Sequence, residues 1–220
     1  MTVAIGFVLF PNVTQLDLTG PLQVFSRTPK CECHLVARSL AHVPTDTALD
    51  IPPTTTFADC PPLDLICVPG GQGVPDAIRD PETLAFVMGR GAEARWVTSV
   101  CTGAFLLGAA GLLQNKRATT HWAYRDLLPL VGARPGAARV IQDGNVVTGG
   151  GVTAGIDFAL SLAAELASPG VAQSIQLTLE YDPAPPFDAG SPKFAPEPIR
   201  ERVSGFYETA RQRMREAIAP

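Results

Sequence analysis

Cys101 stands in the run Ser99-Val100-Cys101-Thr102-Gly103, where the β-branched segment WVTSV (96–100) gives way to the small and apolar CTGAFLLGAAGLL. A strand that turns sharply into a helix at such a point forms an elbow that projects its central side chain beyond the end of a sheet. A thiol held there faces the positive end of the helix dipole, which favours thiolate over thiol and makes a soft nucleophile. The competing reading is a buried, inert core cysteine, which is what most free cysteines are.

Asp17 is the second candidate. It lies just past the first apolar run, between Leu16 and Leu18, and a carboxylate among apolar neighbours either works chemically or caps a helix ahead of Thr19. His121 follows Thr119 and Thr120 and is either a third polar member of a site or a cap for the segment behind it. Gly70-Gly71 and Gly149-Gly150-Gly151 each close a buried run. Their backbone N–H groups can approach a ligand closely, although loop turns use glycine for the same steric reason.

The remaining cysteines carry weaker signals. Cys67, inside LICVPGG, reads as a core residue, and Cys60 precedes Pro-Pro in a loop. Cys31, Cys33 and His34 look like a metal cluster, but strand alternation puts the two thiols on one face and His34 on the other. No second ligand cluster completes a tetrahedral site, so no metal is expected. Five cysteines, an odd number without an export signal, read as reduced thiols in a cytoplasmic protein.

The elements that must position these residues alternate. VAIGFVLF (3–10), CHLVAR, LDLICVPGG (63–71), WVTSV and NVVTGGG (145–151) read as strands, most of them buried on both faces. LDLTGPLQVF reads as loop into helix, with Thr19 a possible N-cap and Pro21 in the first turn. PETLAFVMGRGAEA, CTGAFLLGAAGLL, HWAYRDLLPLVG and VTAGIDFALSLAAELA supply further helices. The alternation implies an α/β fold, a mostly parallel sheet with helices on both faces. Ligands bind such sheets beyond the carboxyl ends of the strands, where Cys101 would point. Residues 1–182 form this domain. After Tyr181 a Pro-rich arm (DPAPPFDAGSPKFAPEP) leads to a final helix, and residues 183–220 are expected to pack on the same domain.

Seventeen Lys and Arg against twenty-one Asp and Glu leave a net charge of −4, which repels a phosphate backbone and excludes nucleic acid as the expected partner. The arginines of the final helix are interleaved with Glu and read as a solvated face. Nothing in the chain has the length of apolar sequence that a membrane span needs.

Taken together, FVLFPNVTQLDLTGPLQVF, VPGGQG, SVCTGAFLLGAAGLL, RATTHW and VVTGGGVTAGIDFALSL resemble the ThiJ/PfpI superfamily, related to class I glutamine amidotransferases, over nearly the whole chain. The resemblance implies a flavodoxin-like three-layer sandwich. Two positions match its isocyanide hydratase branch: Asp17 where the glyoxalase-like and stress-response branches have glutamate, and Thr102 where the protease-like branch has histidine. What this implies is a cofactor-independent lyase acting on an isocyanide, a homodimer, with Cys101 as nucleophile, Asp17 as acid/base group and Thr102 as supporting hydroxyl. Gly71 and Val152 would lend backbone groups to the substrate. A glyoxalase or protein-repair enzyme of the same superfamily and a non-catalytic ligand sensor are the alternatives. Regulators with this domain need a helix-turn-helix part for which too little chain follows Tyr181. An α/β-hydrolase of the dienelactone hydrolase kind needs a late histidine, and none follows His121.

Overall fold

The computed structural model describes residues 2–219. Strands β1 (Val3–Val8), β2 (Cys31–Ala37), β5 (Thr55–Thr56), β6 (Leu65–Val68), β7 (Trp96–Val100), β10 (Val140–Asp143) and β11 (Val146–Gly149) form one sheet. Its order is β10-β11-β7-β6-β1-β2-β5. Every pairing is parallel except β10 with β11. β6, β7 and β11 are buried at every position, as continuous apolar runs covered on both faces must be. The more polar CECHLVA of β2 lies towards the margin, where burial is partial. Two small pairs lie outside the sheet: β3 (Val43–Pro44) with β4 (Asp50–Ile51), and β8 (Arg117–Ala118) with β9 (Arg134–Pro135).

Helices cover both faces, which completes the flavodoxin-like three-layer sandwich. In one layer α1 (Gln15–Phe25) packs on α5 (Ala154–Leu166), and α5 packs on α6 (Pro169–Thr178). The aromatic chain Phe7, Phe25, Phe158 ties β1 to both helices, with ring centroids 6.3 and 6.1 Å apart. Each such ring contributes roughly 1.5–3 kcal/mol through burial. The other layer holds α2 (Val74–Arg79), α3 (Pro81–Glu93), α4 (Gly103–Ala109), a 3-10 segment at Trp122–Val131 and α7 (Glu197–Ile218).

Three expectations are revised. First, α1 begins at Gln15 and not behind Thr19, because Thr14 is its N-cap and the Asp46 carboxylate accepts the Gln15 N–H at 3.0 Å. Asp17 therefore sits in the first helical turn, Thr19 inside the helix hydrogen-bonded to Gln15 Oε1, and Pro21 in mid-helix. Pro21 is accommodated against α5 at Gly155, where a Cβ would lie 3.0 Å from the proline ring. Second, the helix expected over HWAYRDLLPLVG is present and is of the 3-10 kind, with Pro129 inside it. Third, the arginines of α7 are not simply solvated. Arg211 donates to both Asp126 oxygens and to the Ala123 carbonyl, and Arg213 reaches Asp76 at 3.0 Å. Met214 of the same helix is buried. Residues 182–196 of the Pro-rich arm form no helix or strand and are mostly exposed.

Candidate active site

β7 ends at Val100, and the chain turns at Cys101 with φ +54°, a left-handed conformation that L side chains rarely adopt. The neighbouring strand and loops hold that strained residue from both ends. Its N–H donates to the Gly149 carbonyl at the end of β11, and its own carbonyl accepts the Thr120 hydroxyl at 2.7 Å. Thr102 then caps α4, and Gly103 follows under a hard constraint, because a Cβ there would lie 2.1 Å from the Val68 carbonyl oxygen. The elbow is thus wedged against the end of β6.

The loop after β6 joins Asp17 to the elbow. The Gly70 N–H donates to Asp17 Oδ2 at 2.8 Å, and the next N–H, of Gly71, donates to Thr102 Oγ1 at 3.0 Å. Two consecutive amides therefore fix the carboxylate and the residue after the thiol. Only glycine fits at 70, since a Cβ would meet Thr102 N at 2.6 Å and Asp17 Oδ2 at 2.8 Å. Asp17 is completely buried, and its Oδ1 has no hydrogen-bond partner among the described residues.

Electrostatics set the protonation states. Burial pushes the Asp17 carboxyl up to about 7, with the Gly70 N–H opposing, the Asp46 charge adding and the Cys101 thiol opposing. Burial also pushes the Cys101 thiol well above 9.0, and the Asp17 charge adds to it, while the Thr102 N–H and hydroxyl pull the other way. Burial thus opposes the thiolate expected from the helix end, desolvation outweighing the amides of the first turn of α4, and the pair rests above pH 7 as thiol and carboxylate. His121 is pushed down to about 4 by burial and by Arg125, so it is neutral at pH 7. Its Nδ1 accepts the Ala123 N–H, which makes it a cap for the 3-10 segment.

Cys101, Thr102, Gly71, Val152 and His121 line one cavity of about 590 Å³, with Asp17 buried beside it. His121 thus both borders the cavity and caps the 3-10 segment. The polar groups of Gly71 face Thr102, whose hydroxyl contacts the Gly71 carbonyl at 3.4 Å, so its contribution is to hold the threonine. The Val152 carbonyl accepts from Gly155. Cys67 is fully buried in β6 with its thiol pushed up to about 12, and Cys31, Cys33, Cys60 and His34 lie away from the cavity. Three contributors had no local signature: Thr120, which anchors the Cys101 carbonyl, and Tyr124 and Tyr207, which line the cavity from the 3-10 segment and α7. A second cavity of about 430 Å³, beside Arg38, His42, Asp76 and Asp80, is lined by no cysteine. Among the described residues no group of three or more His, Cys, Asp or Glu is arranged to hold a metal, and no helix is long and apolar enough to cross a membrane.

A cysteine in left-handed conformation at the carboxyl edge of a parallel sheet, with a carboxyl buried beside it, defines a cysteine-elbow α/β protein of the flavodoxin-like kind. The DJ-1/PfpI family model matches residues 3–165, and the chain belongs to that family. Similar to it is the isonitrile hydratase of Pseudomonas putida, 60% identical over 199 residues that span 90% of this chain and 87% of that protein. The structure of a ThiJ/PfpI family protein from Pseudomonas syringae superposes with a TM-score of 0.97 at 43% identity, over 100% of this chain and 92% of that one. DJ-1beta of Drosophila melanogaster, at 20% identity, shares the fold with a TM-score of 0.72 over 82% of this chain and 98% of its own.

Proposed function

We propose that this chain is an isocyanide hydratase, a cysteine-dependent hydro-lyase that converts an isocyanide and water to an N-substituted formamide. The observation that carries the reading is the 60% identity to an isonitrile hydratase across 90% of the chain. The chemistry agrees with the site. The terminal carbon of an isocyanide accepts a soft nucleophile and then needs a proton on the same atom. Cys101 gives its proton to Asp17, the thiolate adds to the carbon, and Asp17 delivers the proton to that carbon, leaving a thioimidate. Water then adds, the tetrahedral adduct collapses, and the formamide departs as the thiol is restored. Thr102 holds the loop of Gly71 across the elbow, and the backbone at Gly71 and Val152 borders the substrate. No cofactor takes part in these steps.

On this reading the enzyme works in the cytoplasm as a homodimer, with residues 183–220 packed on the domain of residues 1–182. The experiment is direct: purified protein is incubated with a simple alkyl isocyanide and, in parallel, with methylglyoxal. Formamide from the first and no lactate from the second is the expected result. Lactate without formamide replaces the hydratase with a glyoxalase, and neither product replaces it with a sensor.

A further inference from the structure

The cavity over Cys101 has a wall that the steps above do not use. Tyr124 of the 3-10 segment and Tyr207 of α7 both line it, with ring centroids 5.7 Å apart and planes at 76°. Tyr124 is only 6% exposed, and its ring lies 6.3 Å from that of Phe105 on the helix that follows the elbow. Tyr207 is fixed in turn by the anchoring of α7, through Arg211 to Asp126 and Ala123 and through buried Met214. Neither phenol hydroxyl has a hydrogen-bond partner among the described residues. Neither is a buried, unmet hydroxyl: both phenols border the cavity with their donors unspent, and a ligand that presents an acceptor there can meet them.

Both phenols lie within the field of the reacting sulfur. Burial, then charge on Cys101 and on Tyr207, push Tyr124 up to about 12 against the pull of Arg211. Burial and then Cys101 push Tyr207 up as well. Each therefore keeps its proton at neutral pH, and each is a neutral donor bordering the space into which the substrate must extend. An isocyanide is linear, so with its carbon at Sγ the nitrogen is the next atom outward from the elbow.

We infer that the hydroxyls of Tyr124 and Tyr207 form a donor pair for the substrate nitrogen, a role that rests on the isocyanide reading above. The pair acts in the second half of the reaction. Water oxygen bonds to the thioimidate carbon, the C=N π pair moves onto nitrogen, and the proton lost by water passes through Asp17 to that nitrogen. The C–S bond then breaks with its electrons kept by Sγ, and the hydroxyl proton returns to the sulfur as the formamide leaves. Thiolate addition leaves nitrogen a neutral imine with the excess charge on carbon, whereas water addition drives the C=N pair onto nitrogen and gives it anionic character, so two preorganised donors lower that second barrier more than the barrier to addition. The family model ends at residue 165, so Tyr207 is a part of the site supplied by the chain beyond it.

Tyr124→Phe, Tyr207→Phe and the double variant keep the rings and remove the donors. Rapid acid quenching with intact-mass measurement, on phenyl isocyanides of graded electron withdrawal, follows formation and decay of the Cys101 adduct separately. Adduct decay slows about 100-fold in the double variant, as expected for lost anion-stabilising donors, while formation changes less than about threefold. The adduct then accumulates, and strongly electron-withdrawing rings recover most of the decay rate because they stabilise the nitrogen charge themselves. Unchanged thermal unfolding separates this from a packing defect. Decay within twofold of wild type in the double variant, or equal slowing of formation and decay, overturns the donor pair while the hydratase stands. A wild-type protein that forms neither adduct nor formamide overturns both.

Discussion

Replacing Asp17 by Asn keeps the shape and the Gly70 hydrogen bond but removes the buried carboxyl beside the thiol, so it tests the relay between thiol and carbon. The structure sets the size of the effect. A thiol at its ordinary value of 9.0 is about 1% ionised at pH 7, and burial holds Cys101 below that fraction. Without a carboxylate to take the proton, addition depends on this remnant and should fall at least ~100-fold. The pH dependence carries more information. The productive state has one proton shared between Cys101 and Asp17, and in a coupled pair the first ionisation, at about 7, belongs to the pair. Wild-type kcat/KM should therefore rise about tenfold per pH unit below 7 and level above it, whereas the Asn variant should go on rising through pH 9. Steady-state formamide production between pH 5 and 10, with ionic strength held constant, measures both. A wild-type profile that falls above pH 7, or an Asn variant within fivefold of wild type at pH 7, refutes the relay.

The same substitution should change stability in the opposite sense. The folded-state value of Asp17 lies above its ordinary 3.8, so the folded protein binds the proton more tightly and loses stability as pH rises from 3.8 to about 7. That shift corresponds to roughly 4 kcal/mol at most, and Asn avoids it. Urea denaturation should show the variant gaining on wild type across that window and holding its lead above it; equal pH dependence of the two proteins counts against the burial argument. Cys101→Ala and Cys101→Ser should abolish turnover with folding intact, whereas Cys31→Ser and Cys67→Ala should leave turnover largely in place, as formamide assays will show. His121→Asn should leave the midpoint near pH 7 where it is, because His121 is held at about 4, and a displaced midpoint would reassign that titration. Sedimentation at micromolar concentration should give twice the 23.2 kDa chain mass, and a fully active monomer would contradict the homodimer.

What the sequence made legible was local chemistry, and what it hid was assembly over distance. The elbow at Cys101 and the buried strands were readable because a small-residue helix behind a β-branched run leaves few alternatives, and the sheet's central strands are apolar end to end. The start of α1 was misplaced because its first N–H is met by Asp46, a residue from another loop, which no local capping rule includes. The β10–β11 hairpin was missed although Gly144-Asn145 is a two-residue turn of the expected kind, with Asp143 paired to Val146 across it. Helix α6 was missed although Ser168-Pro169 opens it as a capped start. Tyr207 could not have been singled out: it sits in a helix that is polar along most of its length, and contacts distant in sequence, the ion pairs of Arg211 and Arg213 and the burial of Met214, bring that helix over the site.

The arrangement around Asp17 explains why an acid with one unmet oxygen is retained in a core. A carboxylate that accepts several N–H bonds ionises far below its ordinary range, and one that accepts none, in the same burial, stays protonated well above neutrality. Asp17 accepts one, from Gly70, and the balance falls at about 7. The second oxygen is left without a protein partner, which costs stability but leaves Oδ1 free to take a proton from the thiol and return it to carbon. Gly70 enforces that count, because any side chain there would press on both the carboxylate and Thr102. A polar substitution that offered Oδ1 a second donor would stabilise the fold and lower the carboxyl's pKa together. The relay would then hold its charge on Asp17 and leave the thiol protonated, so the gain in stability and the loss of turnover would come from the same hydrogen bond.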